Sequence, residues 1–115
     1  NQENIEAVKK GLANLGKHIE NVKSFGVPVV VAVNNFISDT EAEFTEIKKY
    51  CANIEVEAIL CKHWAEGSKG TKELATKVSQ IAESNQNKFK TLYSDEISLW
   101  EKYLQLLQKY MEQVK

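Results

Sequence analysis

Two aromatic residues, Phe36 and Trp64, each lie in a loop that directly follows an apolar run. Phe36 belongs to NFISD, after VPVVVAVN, and Trp64 belongs to KHWAEGSKG, after VEAILC. Aromatic faces stack on planar rings, and glycine lets the backbone approach a ligand closely, so Asn34, Gly67 and Gly70 are further candidate contacts. The alternative is that both rings cover the upper edge of the core, where large aromatic residues commonly pack.

Residues 11–17, GLANLGK, have the glycine and lysine spacing of a phosphate-binding loop. That motif needs a preceding strand and a Ser or Thr after the lysine, whereas His18 stands there and the glycines lie within a helical pattern. We therefore expect a helix at this position. Cys61 and His63 share a face of a strand, but two ligands do not make a zinc site, so we expect no metal.

The first two helices are indicated by apolar residues that recur every three to four positions. One stripe predicts a helix that ends near Phe25 and Gly26. Its members are Ile5, Val8, Leu12, Leu15, Ile19 and Val22. A second helix opens after Ser38 or Asp39, either of which is a plausible N-cap. Its expected buried side consists of Ala42, Phe44, Ile47 and Cys51.

Two further helices are expected in the second half of the chain. The third begins near Thr71, a plausible cap, and its buried residues are expected to be Leu74, Val78 and Ile81. The last runs from about Asp95 to Val114. Its wide apolar stripe comprises Trp100, Tyr103, Leu104, Leu107, Met111 and Val114.

The apolar runs VPVVVAVN and VEAILC predict two strands on either side of the second helix. This is one βαβ unit, so the strands should be parallel neighbours with a right-handed crossover and helices on both faces. The predicted fold class is α/β, with a parallel βαβ core and flanking helices. Residues 1–93 would form the α/β segment and residues 94–115 a C-terminal amphipathic helix. Two strands are few for such a sheet, which indicates a piece of a larger protein.

Composition excludes several function classes. The formal net charge is −1 and every basic residue is Lys, which argues against nucleic-acid binding because Arg usually reads phosphates and bases. The longest apolar run, residues 27–33, is too short to span a bilayer, so no membrane partner is expected. Two cysteines without a metal or disulfide pattern indicate a reduced, cytoplasmic protein.

Three stretches occur in an order and spacing that resemble one enzyme family. They are NLGKHIEN, FGVPVVVAVNNFISDTEAE and HWAEGSKGTKELA, within a similarity that covers residues 3–102. The chain resembles formate–tetrahydrofolate ligase. The resemblance implies synthesis of 10-formyltetrahydrofolate from formate, tetrahydrofolate and ATP with magnesium, through formyl phosphate. It also implies that the folate ring lies between Phe36 and Trp64, with Leu60 lining the pocket.

The resemblance also implies what this chain would not do. It makes the chain a fragment of a larger P-loop-type α/β enzyme domain, whose phosphate loop and most formate and ATP contacts lie elsewhere. The family usually carries an acidic residue where Gly16 stands. We therefore expect no cofactor and no catalysis for this chain alone, with tetrahydrofolate and the rest of the ligase chain as partners.

The last helix leaves an alternative open, because the resemblance fades after Lys102. The chain could be a non-enzymatic interaction or oligomerisation module derived from that fold. In that case residues 94–115 would pair with a second copy of the chain or with another protein.

Overall fold

The structure is a computed structural model that describes residues 3–111. Its two strands and five α-helices follow one another along the chain, with one 3-10 turn before the fourth helix. They are α1 (Ile5–Lys23), β1 (Val30–Asn34), α2 (Glu41–Asn53), β2 (Glu57–Cys61), α3 (His63–Glu66), the 3-10 turn Gly67–Thr71, α4 (Lys72–Glu83) and α5 (Leu99–Met111). The expected order of long helices and strands is therefore present.

The two strands pair in parallel, in a register that runs from Val30 opposite Glu57 to Asn34 opposite Cys61. Parallel neighbours need a crossover, and α2 supplies it between them. The predicted α/β class and parallel βαβ core are confirmed. Because parallel strands end at the same edge, the loops after Asn34 and Cys61 emerge side by side.

The core lies between the sheet and the first two helices. Its buried centre joins Ile19 of α1, Cys51 of α2 and Ala58 of β2, together with Val56 just before that strand. Half-buried apolar side chains surround this centre, namely Leu15, Val29, Val31, Val33, Ile47 and Ile54. The apolar side chains that recur along α1 thus pack against those of the two strands on one side of the sheet. This follows from the spacing of side chains that share a face in helices and strands.

The opposite face of the sheet is covered less completely than the sequence predicts. Ile59 and Cys61 of β2 are buried there, and α4 packs beside this strand. Ala32, the β1 partner of Ile59, is exposed, and Val78 of α4 is 48% exposed. The expectation of helices over both faces is correct for β2 and wrong for β1 within the described residues.

The second helix begins two residues later than the Ser38 cap would place it. Thr40 is the N-cap: its hydroxyl accepts from the backbone N–H of Glu43 at 3.3 Å, and the Glu43 carboxylate accepts from the Thr40 N–H at 3.0 Å. This reciprocal capping box satisfies two N–H groups at once, which a Ser38 or Asp39 cap would not do with Glu43. Ala42 consequently faces solvent and is not part of the buried side.

The start of the fourth helix also differs from the expected cap. Thr71 precedes α4 but its side chain makes no capping bond; the hydroxyl instead donates to the Ser68 carbonyl at 3.0 Å. The preceding 3-10 turn Gly67–Thr71 uses the hydroxyl internally.

The last helix starts at Leu99 and not at Asp95. Ser98 and Glu101 exchange hydrogen bonds, with the Ser98 N–H donating to the carboxylate at 2.9 Å and the Glu101 N–H donating to the hydroxyl at 3.3 Å. This Ser-x-x-Glu box sets the start of α5. The expected end at Val114 lies outside the described residues.

The segment between α4 and α5 is fixed to the end of α1. The Lys88 N–H donates to the Gly26 carbonyl at 2.9 Å, and the Lys90 N–H donates to the Phe25 carbonyl at 2.8 Å. Phe25 and Phe89 stack with ring centroids 6.3 Å apart. Gly26 has φ +73°, and a Cβ there would overlap the Lys88 carbonyl, so this close approach requires glycine.

None of the helices described in residues 3–111 combines the length and apolarity needed to cross a bilayer.

Candidate functional site

The two loops that follow the strands place Phe36 beside Trp64. The Asn35 N–H donates to the Cys61 carbonyl at 2.9 Å, which extends the pairing of β1 and β2 by one residue into the loops. Phe36 follows at once, and its ring centroid lies 6.1 Å from that of Trp64 with the planes 38° apart. The adjacency that parallel strands predict is therefore present.

Both rings lie at the surface and not in the core. Phe36 is 49% exposed and Trp64 is 71% exposed, whereas Ile59, two residues before Cys61, is 2% exposed. Leaving so much aromatic surface in water costs stability that burial would recover. These exposed fractions favour a ligand wall over the alternative in which the rings cover the edge of the core.

The gap between the rings is slightly narrower than a planar ligand needs. Aromatic faces on both sides of a flat ring each lie about 3.5–4 Å from it, so the two centroids would be about 7–8 Å apart. The observed 6.1 Å and the tilt of 38° leave the rings in contact with each other. Since both side chains are exposed, rotation about their side-chain bonds would open the gap without moving the strands.

A tight turn, residues 36–39, carries Phe36. The Asp39 N–H donates to the Phe36 carbonyl at 3.0 Å, and the Phe36 N–H donates to Oδ2 of Asp39 at 2.8 Å. Asn35 adds a donation from Nδ2 to the Phe36 carbonyl at 3.3 Å. Ile37, at the tip, is fully exposed, with 107% of its reference surface. We refer to these four residues as the 36–39 turn.

Trp64 is held by the one-turn helix α3. The N–H groups of Ala65 and Glu66 donate to the Lys62 carbonyl at 3.1 and 2.9 Å, which winds the backbone directly after β2. The neighbouring His63 ring lies 5.8 Å from Trp64, tilted by 36°. The large side chain therefore projects from a short helix anchored on the strand end.

The two glycines expected near the ligand serve the loop itself. The Lys62 N–H donates to the Gly70 carbonyl at 3.0 Å, which closes the loop on the end of β2. A Cβ on Gly70 would lie 2.5 Å from the Lys62 carbonyl carbon, so only glycine fits. Gly67 has φ +60° and open space around it. Neither glycine lines the cavities beside Phe36 and Trp64.

Two cavities flank Phe36. One, of about 580 Å³, runs along the end of β1 and is bordered by Asn34, Leu60 and Phe36. The other, of about 750 Å³, lies between the 36–39 turn and Trp64. Leu60 and Trp64 thus border different cavities, and Phe36 belongs to both. Lys62 also borders both, at the boundary between them.

Three residues of this region were not expected from the sequence, namely Ile37, Asp39 and Lys62. The sequence indicates a helix cap at Ser38 or Asp39, so it places Asp39 at the start of the second helix and not in a bond to Phe36. The spacing of Phe36 and Asp39 was the available signal, since Asp at a turn bonds backbone nearby. For Ile37, an apolar residue at a loop tip was the signal.

One carboxylate joins the first turns of α1 and α2 behind this site. Glu43 accepts from the Asn4 N–H at 2.8 Å and from the Thr40 N–H at 3.0 Å. Hydrogen bonds from the Asn4 backbone, and then from the Thr40 backbone, hold the pKa of the Glu43 carboxyl below its ordinary value. Glu43 also borders the cavity of about 580 Å³, so this cavity has a fixed negative charge in its wall.

The phosphate-loop pattern is part of a helix, as expected. Residues 11–17 lie within α1, and Leu12 is buried. Gly16 faces the Tyr50 side chain so closely that a Cβ would overlap the phenol oxygen. Backbone N–H groups in this stretch are engaged in the helix and cannot cradle a phosphate.

Within residues 3–111, no three His, Cys, Asp or Glu side chains gather closely enough to hold a metal ion. Cys51 and Cys61 are both free and buried. Burial raises the pKa of the Cys51 thiol, which favours the protonated, unreactive form.

Comparison with known proteins gives one consistent family. The family model of formate–tetrahydrofolate ligase matches residues 1–113. The chain is 60% identical over 101 residues to a formate–tetrahydrofolate ligase of Rhizobium rhizogenes, which covers 88% of this chain and 18% of that protein. It is 56% identical over 108 residues to the Mesorhizobium japonicum enzyme of the same name, or 94% of this chain and 19% of that protein. The corresponding Ruegeria pomeroyi enzyme is 58% identical over 100 residues, or 87% and 18%.

The matches cover nearly all of this chain but only a small part of each relative. The chain spans less than a fifth of the length of the curated relatives. The family match continues to residue 113, past the expected limit near Lys102, and therefore includes α5.

Proposed function

Because the chain belongs to the formate–tetrahydrofolate ligase family, we propose that it forms the aromatic part of that enzyme's folate site. The whole enzyme would join formate to tetrahydrofolate with ATP and yield 10-formyltetrahydrofolate. In this chain Phe36 and Trp64 would be the two walls that hold the pterin ring.

The observation that supports this proposal is the exposed pair of rings at the carboxyl edge of a parallel sheet. Ligands of α/β proteins bind beyond this edge. The centroid distance of 6.1 Å needs to grow by only about 1–2 Å to admit a planar ring. Stacking on such faces contributes ~0.5–1.5 kcal/mol beyond the area that is buried.

The remaining candidate contacts divide between the two cavities. A ligand whose ring lies against Trp64 would occupy the cavity of about 750 Å³, on the side of the 36–39 turn. Leu60 and Asn34 border the other cavity, so they would contact a part of the ligand that passes Phe36. Gly67 and Gly70 would shape the loop that carries Trp64 and would not touch the ligand.

The nucleotide and formate are assigned to the remainder of the enzyme. Residues 11–17 are helical and do not fit a triphosphate with its magnesium, so no step of the reaction is placed on them. We infer that a P-loop-type phosphate site belongs to other segments of the ligase, that this chain alone does not catalyse, and that the reaction takes place in the cytoplasm.

Fluorescence of Trp64 tests the proposal directly. In a Trp100→Phe variant Trp64 is the remaining tryptophan, and tetrahydrofolate kept under nitrogen should quench its emission. Adding Phe36→Ala should weaken binding by roughly two- to tenfold, the equivalent of the stacking contribution. The matched control is Trp64→Phe, in which Trp100 on α5 should respond little.

The isolated chain binds tetrahydrofolate too weakly for the fluorescence test if it lacks other contacts to the ligand. Phe36→Ala is therefore also measured in the complete ligase. Phe36→Ala should raise the KM for tetrahydrofolate and leave the KM for ATP unchanged. If Phe36→Ala and Trp64→Ala both leave the KM for tetrahydrofolate unchanged, the proposed role of the ring pair is wrong.

The surface of α5 favours a second candidate function, that of an interaction module. Large apolar side chains are concentrated there and exposed, namely Leu99, Trp100, Tyr103, Leu104, Leu107, Tyr110 and Met111. Trp100 and Tyr103 stack with centroids 5.7 Å apart beside a cavity of about 670 Å³. Such a patch is typical of a surface that contacts protein. The partner would be the rest of the ligase chain or a second copy.

A further inference from the structure

We infer that Asp39 is a positioning residue, whose carboxylate fixes the 36–39 turn so that the Phe36 ring is presented to the ligand. This inference rests on the proposed function of the ring pair. It adds a residue that acts on the ligand through Phe36 and does not itself need to touch it.

The geometry joins Asp39 to Phe36 in both directions. The Asp39 carboxylate accepts from the Phe36 N–H at 2.8 Å, and the Asp39 N–H donates to the Phe36 carbonyl at 3.0 Å. The first bond has a charged acceptor, so it is stronger than the second. Together they close the turn through main chain and side chain, which restricts the backbone on both sides of the Phe36 Cα.

Phe36 needs such a restraint because packing supplies little. Phe36 is 49% exposed, and the next residue, Ile37, is fully exposed. A mobile backbone at Phe36 would move the whole ring away from Trp64, and the bonds to Asp39 restrict that motion while they leave rotation about the side-chain bonds free. Holding it before the ligand arrives lowers the ordering cost of binding, which is preorganisation.

The carboxylate is free for this task because helix α2 does not use it. Thr40 and Glu43 form the capping box of α2, and Asp39 lies one residue before that cap. An Asp whose only value was capping would bond to the first turn of the helix. Here its oxygen points back to Phe36.

A substitution at Glu41 separates the effect of the bond between Asp39 and Phe36 from the effect of the negative charge of Asp39. Glu41 borders the same cavity of about 580 Å³ as Asp39 and carries the same charge. Among residues 3–111, its carboxylate forms no hydrogen bond with the 36–39 turn; its carbonyl accepts from the Thr45 hydroxyl. Glu41→Gln therefore removes a neighbouring negative charge and leaves the turn intact.

The test compares Asp39→Ala, Asp39→Asn and Glu41→Gln by two measurements. The first is steady-state kinetics of the complete ligase that carries this segment. Asp39→Ala should raise the KM for tetrahydrofolate about tenfold with kcat nearly unchanged, since a hydrogen bond to a charged group is lost. Asp39→Asn should raise this KM much less than Asp39→Ala does, because the amide oxygen of Asn still accepts from the Phe36 N–H. Glu41→Gln should change the KM for tetrahydrofolate much less than Asp39→Ala does, because it keeps the bond between Asp39 and the Phe36 N–H.

The second measurement follows the turn without any ligand, by amide hydrogen exchange of the 115-residue chain in NMR spectra. Exchange at the Phe36 N–H should accelerate at least tenfold in Asp39→Ala, less in Asp39→Asn, and stay unchanged in Glu41→Gln. The exchange of the Val31 N–H, within β1, serves as the internal reference for global stability.

Three results would overturn the inference. The first is an unchanged KM for tetrahydrofolate in Asp39→Ala while Phe36→Ala still raises it, which would leave the proposed function intact. The second is an equal effect of Asp39→Ala and Glu41→Gln, which would indicate charge and not position. The third is no effect of Phe36→Ala or Trp64→Ala on that KM, which would overturn the proposed function together with this inference.

Discussion

At the residue scale, the exposure of Trp64 separates a ligand wall from a core residue. A core tryptophan replaced by Ala typically costs about 3–5 kcal/mol of folding free energy. Trp64 is 71% exposed, so Trp64→Ala should cost this chain much less, under about 1.5 kcal/mol. Urea denaturation followed by circular dichroism measures the difference.

A substitution by Ala at a buried position of the same chain gives the reference for the stability lost in Trp64→Ala. Leu12→Ala, at a residue that is 8% exposed in α1, should cost about 2–5 kcal/mol. If Trp64→Ala destabilises the chain as much as Leu12→Ala does, Trp64 is a core residue and its assignment to the folate site is wrong.

Substitution of Gly70, unlike that of Trp64, should destabilise the chain strongly, because the site of Gly70 has no room for a side chain. A Cβ there would lie 2.5 Å from the Lys62 carbonyl carbon and 2.8 Å from the His63 nitrogen, both backbone atoms that cannot rotate away. Gly70→Ala should therefore destabilise the chain by about 1–3 kcal/mol and move Trp64. Thermal unfolding and Trp64 emission in the Trp100→Phe background report both effects.

Gly11→Ala is the matched control for Gly70→Ala. Gly11 lies inside α1, and an added Cβ meets no atom within 4 Å. In a helix interior Ala is preferred over Gly by about 0.5–1 kcal/mol, so this variant should be more stable than the parent. Equal destabilisation by both variants would contradict the assignment of Gly70 to a close backbone contact.

At the element scale, periodicity predicted the elements better than their starts. The stripe from Ile5 to Val22 and the two apolar runs became α1, β1 and β2, because burial on one side of a sheet imposes those patterns. The starts of α2 and α5 depended on capping partners three residues away. Several adjacent residues could cap, and only the reciprocal bonds of Thr40 and Ser98 decided between them.

For the candidate site, too, the sequence predicted which residues are neighbours but not the details of the loops that carry them. Adjacent strand ends implied that Phe36 and Trp64 would be neighbours, since parallel pairing aligns the following loops. The separation of Leu60 from Trp64 and the bond from Phe36 to Asp39 could not be foreseen. Both depend on the path of each loop after the strand, which has no periodic pattern to reveal it.

The carboxylate that joins α1 and α2 gives a pH-dependent prediction. The pKa of Glu43 is lowered in the folded chain, so its contribution to stability is fully present above the unfolded value of about 4.3. It is lost as the pH falls through the lower, folded value. Glu43→Gln should therefore flatten the loss of stability below about pH 4.5 relative to the parent.

Unfolding midpoints in urea between acidic and neutral pH test this coupling. Glu41→Gln is the matched control, because Glu41 lies in the same first turn of α2 without bonds to Asn4 and Thr40. It should keep the steep acid dependence of the parent. Identical pH profiles for the parent and Glu43→Gln would show that the Asn4 and Thr40 bonds do not contribute to folding.

At the scale of the whole molecule, the open surfaces lie on α5 and on the second face of the sheet. Ala32 is exposed in β1, and a sheet of two strands has edges that can pair with other chains. Since the curated relatives are about five times longer than this chain, these surfaces suit contact with the rest of the ligase. In its absence we expect the same surfaces to make contacts between copies of this chain.

Sedimentation velocity at micromolar concentration tests whether α5 drives self-association. The parent chain should sediment as a species heavier than the 13.1 kDa monomer, since exposed Trp100, Leu104 and Leu107 lose water on pairing. Leu104→Glu should shift the population toward monomer by placing a charge in the apolar patch. Gln105→Glu adds the same charge on the same helix at an exposed, polar position on the side away from the patch, so it should leave the distribution unchanged. A parent chain that is monomeric throughout this range contradicts self-association through α5 and leaves the rest of the ligase as its proposed partner.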